Sequence, residues 1–210
     1  MFGIGTRKFE TKTKEELQKI TRILIIDDKK SDIDENLRRE GWGASYIDDA
    51  MSMSQNEIRD AQIICVDING VGAKLGFTDE GMGLARAIKK EYPAKRIILY
   101  STQQNHNIFN DALDFVDRKV YKSGEFYPFL EAVSSLAKTV FDWETCVDEL
   151  YIKYKKGFPK QVSYDLFKAS LEKGISNKKF DPKKLMETTG IVLEVAGVIK
   201  SVVELCLTSN

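Results

Sequence analysis

Three stretches of the chain share one design, an unbroken apolar run that halts at a polar residue. Arg22-Ile23-Leu24-Ile25-Ile26 runs into Asp27-Asp28, Ile63-Ile64-Cys65-Val66 into Asp67, and Arg96-Ile97-Ile98-Leu99-Tyr100 into Ser101-Thr102. A shorter run, Lys119-Val120-Tyr121, ends at Lys122. Such β-branched runs, bounded by turn signals, predict strands buried on both faces, as in a parallel sheet. The first strand is expected over 21–26 and a second over 43–47. Helices are expected between them: Ser31 to Arg39 with Gly41 as the stop, one within 48–60, Met82 to Glu91 before Pro93, and one within 107–114. Thr13 is the expected cap of a short helix ahead of the first strand. This alternation predicts an α/β fold.

From Pro128 onward the pattern becomes helical. Leu130, Val133, Ala137, Val140, Val147, Tyr151 and Tyr154 recur at three- and four-residue steps, with Glu144 the one polar break. The pattern predicts one long helix ended by Gly157 and Pro159. A sheet domain uses only its first half, so the second half buries its stripe elsewhere. A further helix is expected from Ser163 to Lys173, stopped by Gly174, and a last one from Asp181-Pro182 onward. In that last helix Glu187, Gly190, Glu194, Gly197, Ser201, Glu204 and Thr208 form a narrow stripe on an otherwise apolar surface. So wide an apolar face predicts a bundle, completed across a homodimer because three helices make only a small core. The expected organisation is an N-terminal extension (1–20), an α/β domain (21–138) and a helical output or oligomerisation region (139–210).

The strand ends carry the chemistry. In an open parallel sheet, ligands bind at the carboxyl edge of the strands. That edge gathers Asp27, Asp28, Asp67, Ser101 and Lys122. Asp67 alone reads equally as a turn cap. Three carboxylates together repel one another unless a cation sits among them. A hard divalent ion such as Mg2+ takes oxygen ligands, and Lys122 supplies a second positive charge. Ser101 has a hydroxyl to donate to a phosphoryl oxygen. The set suits phosphorylation of a carboxylate, with Asp67 as the nucleophile.

With those pieces in that order, residues 21–138 resemble the receiver domain of two-component response regulators. The resemblance implies a flavodoxin-like, doubly wound five-stranded parallel sheet of order 2-1-3-4-5. It implies Mg2+ held by Asp27, Asp28, Asp67 and the backbone carbonyl of Asn69. It also implies a phosphoryl group taken onto Asp67 from a histidine kinase or phosphotransfer protein, with Ser101 and Lys122 contacting that group. Three positions depart from the family pattern. Lys119 stands where an aromatic switch residue is usual, Thr102 where a smaller residue is common, and Ser123 where proline often follows the lysine. The segment 70–81 is also longer than the family pattern and holds four glycines. Those glycines let it move or present N–H groups to an anion, although plain length variation is the simpler reading.

Composition narrows the partners. Lys+Arg and Asp+Glu both number 32, and from Thr139 onward 11 Lys face 10 Asp+Glu. That balance and the lack of a helix-turn-helix signature argue against DNA binding. No run reaches the length of a membrane span and no signal peptide opens the chain, so a cytoplasmic protein is expected. Cys65, Cys146 and Cys206 lack CxxC spacing and read as reduced core residues. His106 is the only histidine, which sets aside Ser-His and Cys-His hydrolases. Two rival readings stand beside the response regulator. Asp67-Ile68-Asn69-Gly70-Val71 resembles the opening of haloacid-dehalogenase phosphatases, but Asn69 replaces their general acid/base. The other rival is a pseudo-receiver that binds a partner without phosphorylation. On the leading reading the protein is not an enzyme beyond turnover of its own aspartyl phosphate.

Overall fold

The computed structural model describes residues 11–101, 115–122, 124–176 and 179–207. The helix expected within 107–114, together with Thr102, His106 and Ser123, lies outside these. Contacts divide the chain into Lys14–Val140 and a second unit that begins at Phe141.

The first unit is built on strands β1 (Arg22–Ile26), β2 (Gly43–Ile47), β3 (Ile63–Asp67), β4 (Arg96–Ser101) and β5 (Arg118–Tyr121). They form one sheet in the order β2-β1-β3-β4-β5, with every pairing parallel. Every residue of β3 and β4 is buried, as their apolar runs require of central strands. Helices α1 (Lys14–Ile20), α2 (Ile33–Arg39), α3 (Asn56–Asp60), α4 (Glu80–Glu91) and α5 (Tyr127–Phe141) complete the unit. One face of the sheet closes over Leu24, Ile26, Ile64, Val66, Ile97 and Leu99, packed with Ile58, Leu84 and Ile88.

Local details differ from the sequence expectation. Helix α2 has Asp32, not Ser31, at its N-cap, and the Ser31 hydroxyl is buried without a partner. Helix α3 is only five residues long, because 48–55 is taken up by turns. The 70–81 segment contains a single 3-10 turn, Ala73–Leu75, between Gly72 and Gly76, both at positive φ. The buried carboxylate of Asp49 accepts hydrogen bonds from the backbone N–H groups of Gly72 and Lys74. Those two donors are therefore committed to holding the loop.

At the amino ends of β4 and β5 lies a structural ion cluster. Asp117 meets Lys89 at 2.9 Å and Arg96 at 3.3 Å, and accepts from the Ile97 N–H at 2.8 Å.

The second unit contains α6 (Trp143–Tyr154), α7 (Tyr164–Gly174), a hairpin of β6 (Ile175–Ser176) and β7 (Lys179–Phe180), then α8 (Lys183–Thr189) and α9 (Leu193–Leu207). Its core joins Trp143, Val147, Leu150, Phe167, Leu171, Phe180, Leu185, Ile199 and Val203. Two long helices expected from the periodicity are each broken. Asp142 is extended (φ −82°, ψ 119°), and its carboxylate accepts from the N–H (2.8 Å) and hydroxyl (2.6 Å) of Thr145. It thus caps a new helix and ends α5 one residue earlier. Gly190 adopts φ 77°, the left-handed stop that closes α8. The apolar stripe continues across both breaks, which is why periodicity alone ran through them. The hairpin, too, was absent from the all-helical expectation. Among the described residues, no helix is long and apolar enough to cross a membrane.

Candidate functional site

The parallel register brings the strand ends level. Val66 of β3 lies beside Ile26 of β1 and Leu99 of β4, and Asp67 beside Tyr100. Asp27 and Asp28 follow β1 directly, Asp67 ends β3, Ser101 ends β4, and Lys122 follows β5. The chain order of these residues was legible in sequence, and the sheet order sets which of them touch.

One oxygen from each of Asp27, Asp28 and Asp67 lies within 4.8 Å of the others. Asp27 and Asp67 are buried, and Asp28 is exposed at the mouth. The Lys122 ammonium lies 2.9 Å from Oδ2 of Asp27 and 2.9 Å from Oδ2 of Asp67. It thus bridges the two buried carboxylates and offsets part of their repulsion. The backbone N–H of Lys29 donates to Asp27 Oδ1 at 3.0 Å, and that of Ile68 to Asp67 Oδ1 at 2.8 Å. Burial is the largest influence on Asp67 and raises its pKa from the ordinary carboxylate value. Lys122 pulls in the opposite direction, and the charge of Asp27 adds to the rise.

Two phenols complete the site, and the sequence reading missed both. Tyr100 donates to Asp27 Oδ2 at 2.9 Å, and Lys122 Nζ lies 4.5 Å from the centre of its ring. Burial and the charge of Asp27 raise the Tyr100 pKa, so the phenol stays protonated and donating. Tyr46 of β2 donates to the backbone carbonyl of Asp27 at 2.6 Å. The available signal for Tyr100 was its place at the very end of an apolar run, where a ring reads as core while its hydroxyl reaches the edge.

Ser101 is buried, and its backbone carbonyl accepts from the Lys122 N–H at 2.8 Å. Asn69 lies exposed in the loop after Asp67. Beside it Gly70 has φ 77°, and a Cβ there would come within 2.5 Å of the Asp28 carboxylate. Only glycine allows so close an approach. At Gly81 a Cβ would fall 1.8 Å from the carbonyl oxygen of Asp67, so the start of α4 lies directly on the backbone of Asp67. Lys119 sits in β5, level with Leu99 of β4. The all-oxygen donor set of Asp27, Asp28 and Asp67 fits a hard divalent cation such as Mg2+.

A five-stranded parallel sheet of order 2-1-3-4-5 is the flavodoxin-like α/β arrangement, and here acidic groups stand at the ends of β1 and β3. No protein-family model matches the chain, and no curated protein matches it. Solved structures do match. A response regulator receiver domain protein from Methanospirillum hungatei is 19% identical, with TM-score 0.46, over 58% of this chain and 96% of that one. A Thermotoga maritima response regulator in complex with Mg(2+)-BeF is 23% identical, with TM-score 0.45, over 55% and 98%. A structure described as adenylate cyclase from Rhodopirellula baltica is 20% identical, with TM-score 0.48, over 63% and 97%. The strand order and register above define the fold without them.

Proposed function

We propose that this protein is a response regulator whose Asp67 accepts a phosphoryl group and whose second unit is a helical, protein-binding output. The observation that carries this is Lys122 bridging Asp27 and Asp67 at 2.9 Å each, at the carboxyl edge of the sheet. An isolated structural ion pair needs one carboxylate. Here one ammonium serves two carboxylates, a third stands beside them, and all of them converge on one edge.

In the proposed reaction an Asp67 oxygen attacks the phosphorus of a phosphohistidine on a histidine kinase or phosphotransfer protein. The P–N bond breaks, and the imidazole leaves with its electron pair and takes up a proton. Asp27, Asp28, Asp67 and the carbonyl of Asn69 are the groups to hold Mg2+, which supplies positive charge for the transferring phosphoryl oxygens. Lys122 holds the nucleophile in place beforehand and afterwards neutralises the new phosphoryl charge. Ser101 donates its hydroxyl to a phosphoryl oxygen. No separate substrate is turned over, so the activity is limited to formation and loss of the protein's own aspartyl phosphate. The phosphatase reading lacks its second acid, which is Asn69 here. We further propose a cytoplasmic homodimer formed through the second unit, and no DNA contact. Light scattering tests the dimer, and a full-length monomer at tens of micromolar would refute it.

The test of the chemistry is intact-mass spectrometry after incubation with a small phosphodonor and Mg2+. One acid-stable, hydroxylamine-labile phosphoryl group is expected, and it should be lost with chelator and in Asp67→Ala. No mass gain, or a gain that survives Asp67→Ala, would overturn the proposal.

A further inference from the structure

The second unit holds a pair of cysteines that the proposed phosphoryl chemistry does not use. Cys146 lies in the first turn of α6 and Cys206 in the last turn of α9. They are 60 residues apart in sequence, yet their sulfurs lie 2.8 Å from each other. Both are thiols, and each is 2% exposed. Their surroundings are apolar, with Trp143, Val147, Val203 and Leu207 in the same core. A cysteine in a core ordinarily behaves as a small hydrophobe and needs no partner of its own kind. This core brings together two of the chain's three cysteines, from the first and last helices of the unit.

We propose that Cys146 and Cys206 form a reversible disulfide that staples α9 onto α6 and closes the second unit on itself. The helices already hold the sulfurs 2.8 Å apart, against about 2.0 Å in a covalent S–S bond. A low-molecular-weight disulfide such as oxidised glutathione is the oxidant. One protein thiolate attacks it to give a mixed disulfide and releases one small thiol. The second protein thiolate then displaces the other small thiol. In sum, two protein S–H bonds and the oxidant's S–S bond are lost, and one protein S–S bond and two small-molecule S–H bonds form. Entry is through the end of α9, since final helical turns open locally without global unfolding. Cys65 takes no part. It lies inside β3 of the other unit, where burial pushes its thiol pKa up and keeps it unreactive.

The test uses the full chain, equilibrated in glutathione buffers of graded ratio, once folded and once in concentrated urea. Acid quenching, alkylation and peptide mapping then count and locate the free thiols. Because folding pre-positions the sulfurs, the folded chain should become oxidised at a ratio of oxidised to reduced glutathione about a hundredfold lower than the unfolded chain needs. Peptide maps should show Cys146 joined to Cys206, with Cys65 alkylated. Cys65→Ala should leave the transition unchanged, and Cys206→Ala should abolish it. Oxidation at the same ratio folded and unfolded would overturn the proposal. So would a crosslink that includes Cys65, or glutathione adducts alone. The wild-type measurement decides the matter even if a cysteine variant fails to fold.

Discussion

The phenol of Tyr100 donates to the Oδ2 atom of Asp27 at 2.9 Å, and this is the oxygen that Lys122 also contacts. Asp27 is 1% exposed, so these donors replace the water that its charge would otherwise hold. Tyr100→Phe removes one donor and keeps the ring, including its edge-on contact with Phe129. Hydrogen bonds to charged groups are worth about 1.5–3 kcal/mol, and urea unfolding in chelator should show a loss of that size. An unchanged midpoint would mean that the bond contributes nothing.

Asp27→Asn combined with Asp28→Asn should abolish Mg2+ binding while the fold is kept. Two anionic oxygen ligands disappear, and so does the repulsion they exert on Asp67. The measurement is the rise in melting temperature on adding Mg2+. A rise that persists in the double variant would place the ion elsewhere.

Gly70→Ala tests the close approach of the loop to Asp28. The site holds φ at +77°, which alanine disfavours, and the added Cβ meets the Asp28 carboxylate at 2.5 Å, so Asp28 must swing away. Disturbing the groups that orient a ligand typically costs about 10–100-fold in metal affinity. Calorimetric titration with Mg2+ should show a loss in that range, with circular dichroism unchanged.

The raised pKa of Asp67 has a consequence for stability against pH. A carboxyl that holds its proton more tightly folded than unfolded favours the folded state at low pH. That advantage is lost as pH rises through the ordinary carboxylate value to the raised one, and above this the ionised form carries a constant penalty. Asp67→Asn should therefore melt higher than the wild type at neutral pH in chelator. The difference should shrink as pH falls below the ordinary carboxylate range. A difference independent of pH would assign the effect to packing.

Asp142→Ala removes the carboxylate that caps α6. Loss of such a cap costs about 1 kcal/mol. Thermal melting of the full chain should show the second unit weakened by that amount, with Mg2+ binding unaffected.

The apolar runs of β1, β3 and β4 were legible because a strand buried on both faces has no room for a polar residue, so its ends announce themselves. The carboxylates, the serine and the lysine stand at those ends, and their chain positions were therefore readable as a candidate site. The apolar runs do not by themselves give lateral order; the expected order 2-1-3-4-5 came from the family resemblance, and the sheet has it. Only the β2-β1-β3-β4-β5 arrangement sets Asp67 level with Tyr100, brings the Tyr100 phenol to Asp27, and lets Lys122 reach across from β5 to both buried aspartates. The helical half was less legible for a related reason. An apolar stripe records which residues are buried, and in sequence it continues past the end of one helix into the next. The breaks at Asp142 and Gly190 rest on a cap and a left-handed turn, local geometries that periodicity does not register. The meeting of Cys146 with Cys206 lay further still from view, since contacts across 60 residues follow from how helices pack and from nothing in the spacing of the cysteines themselves.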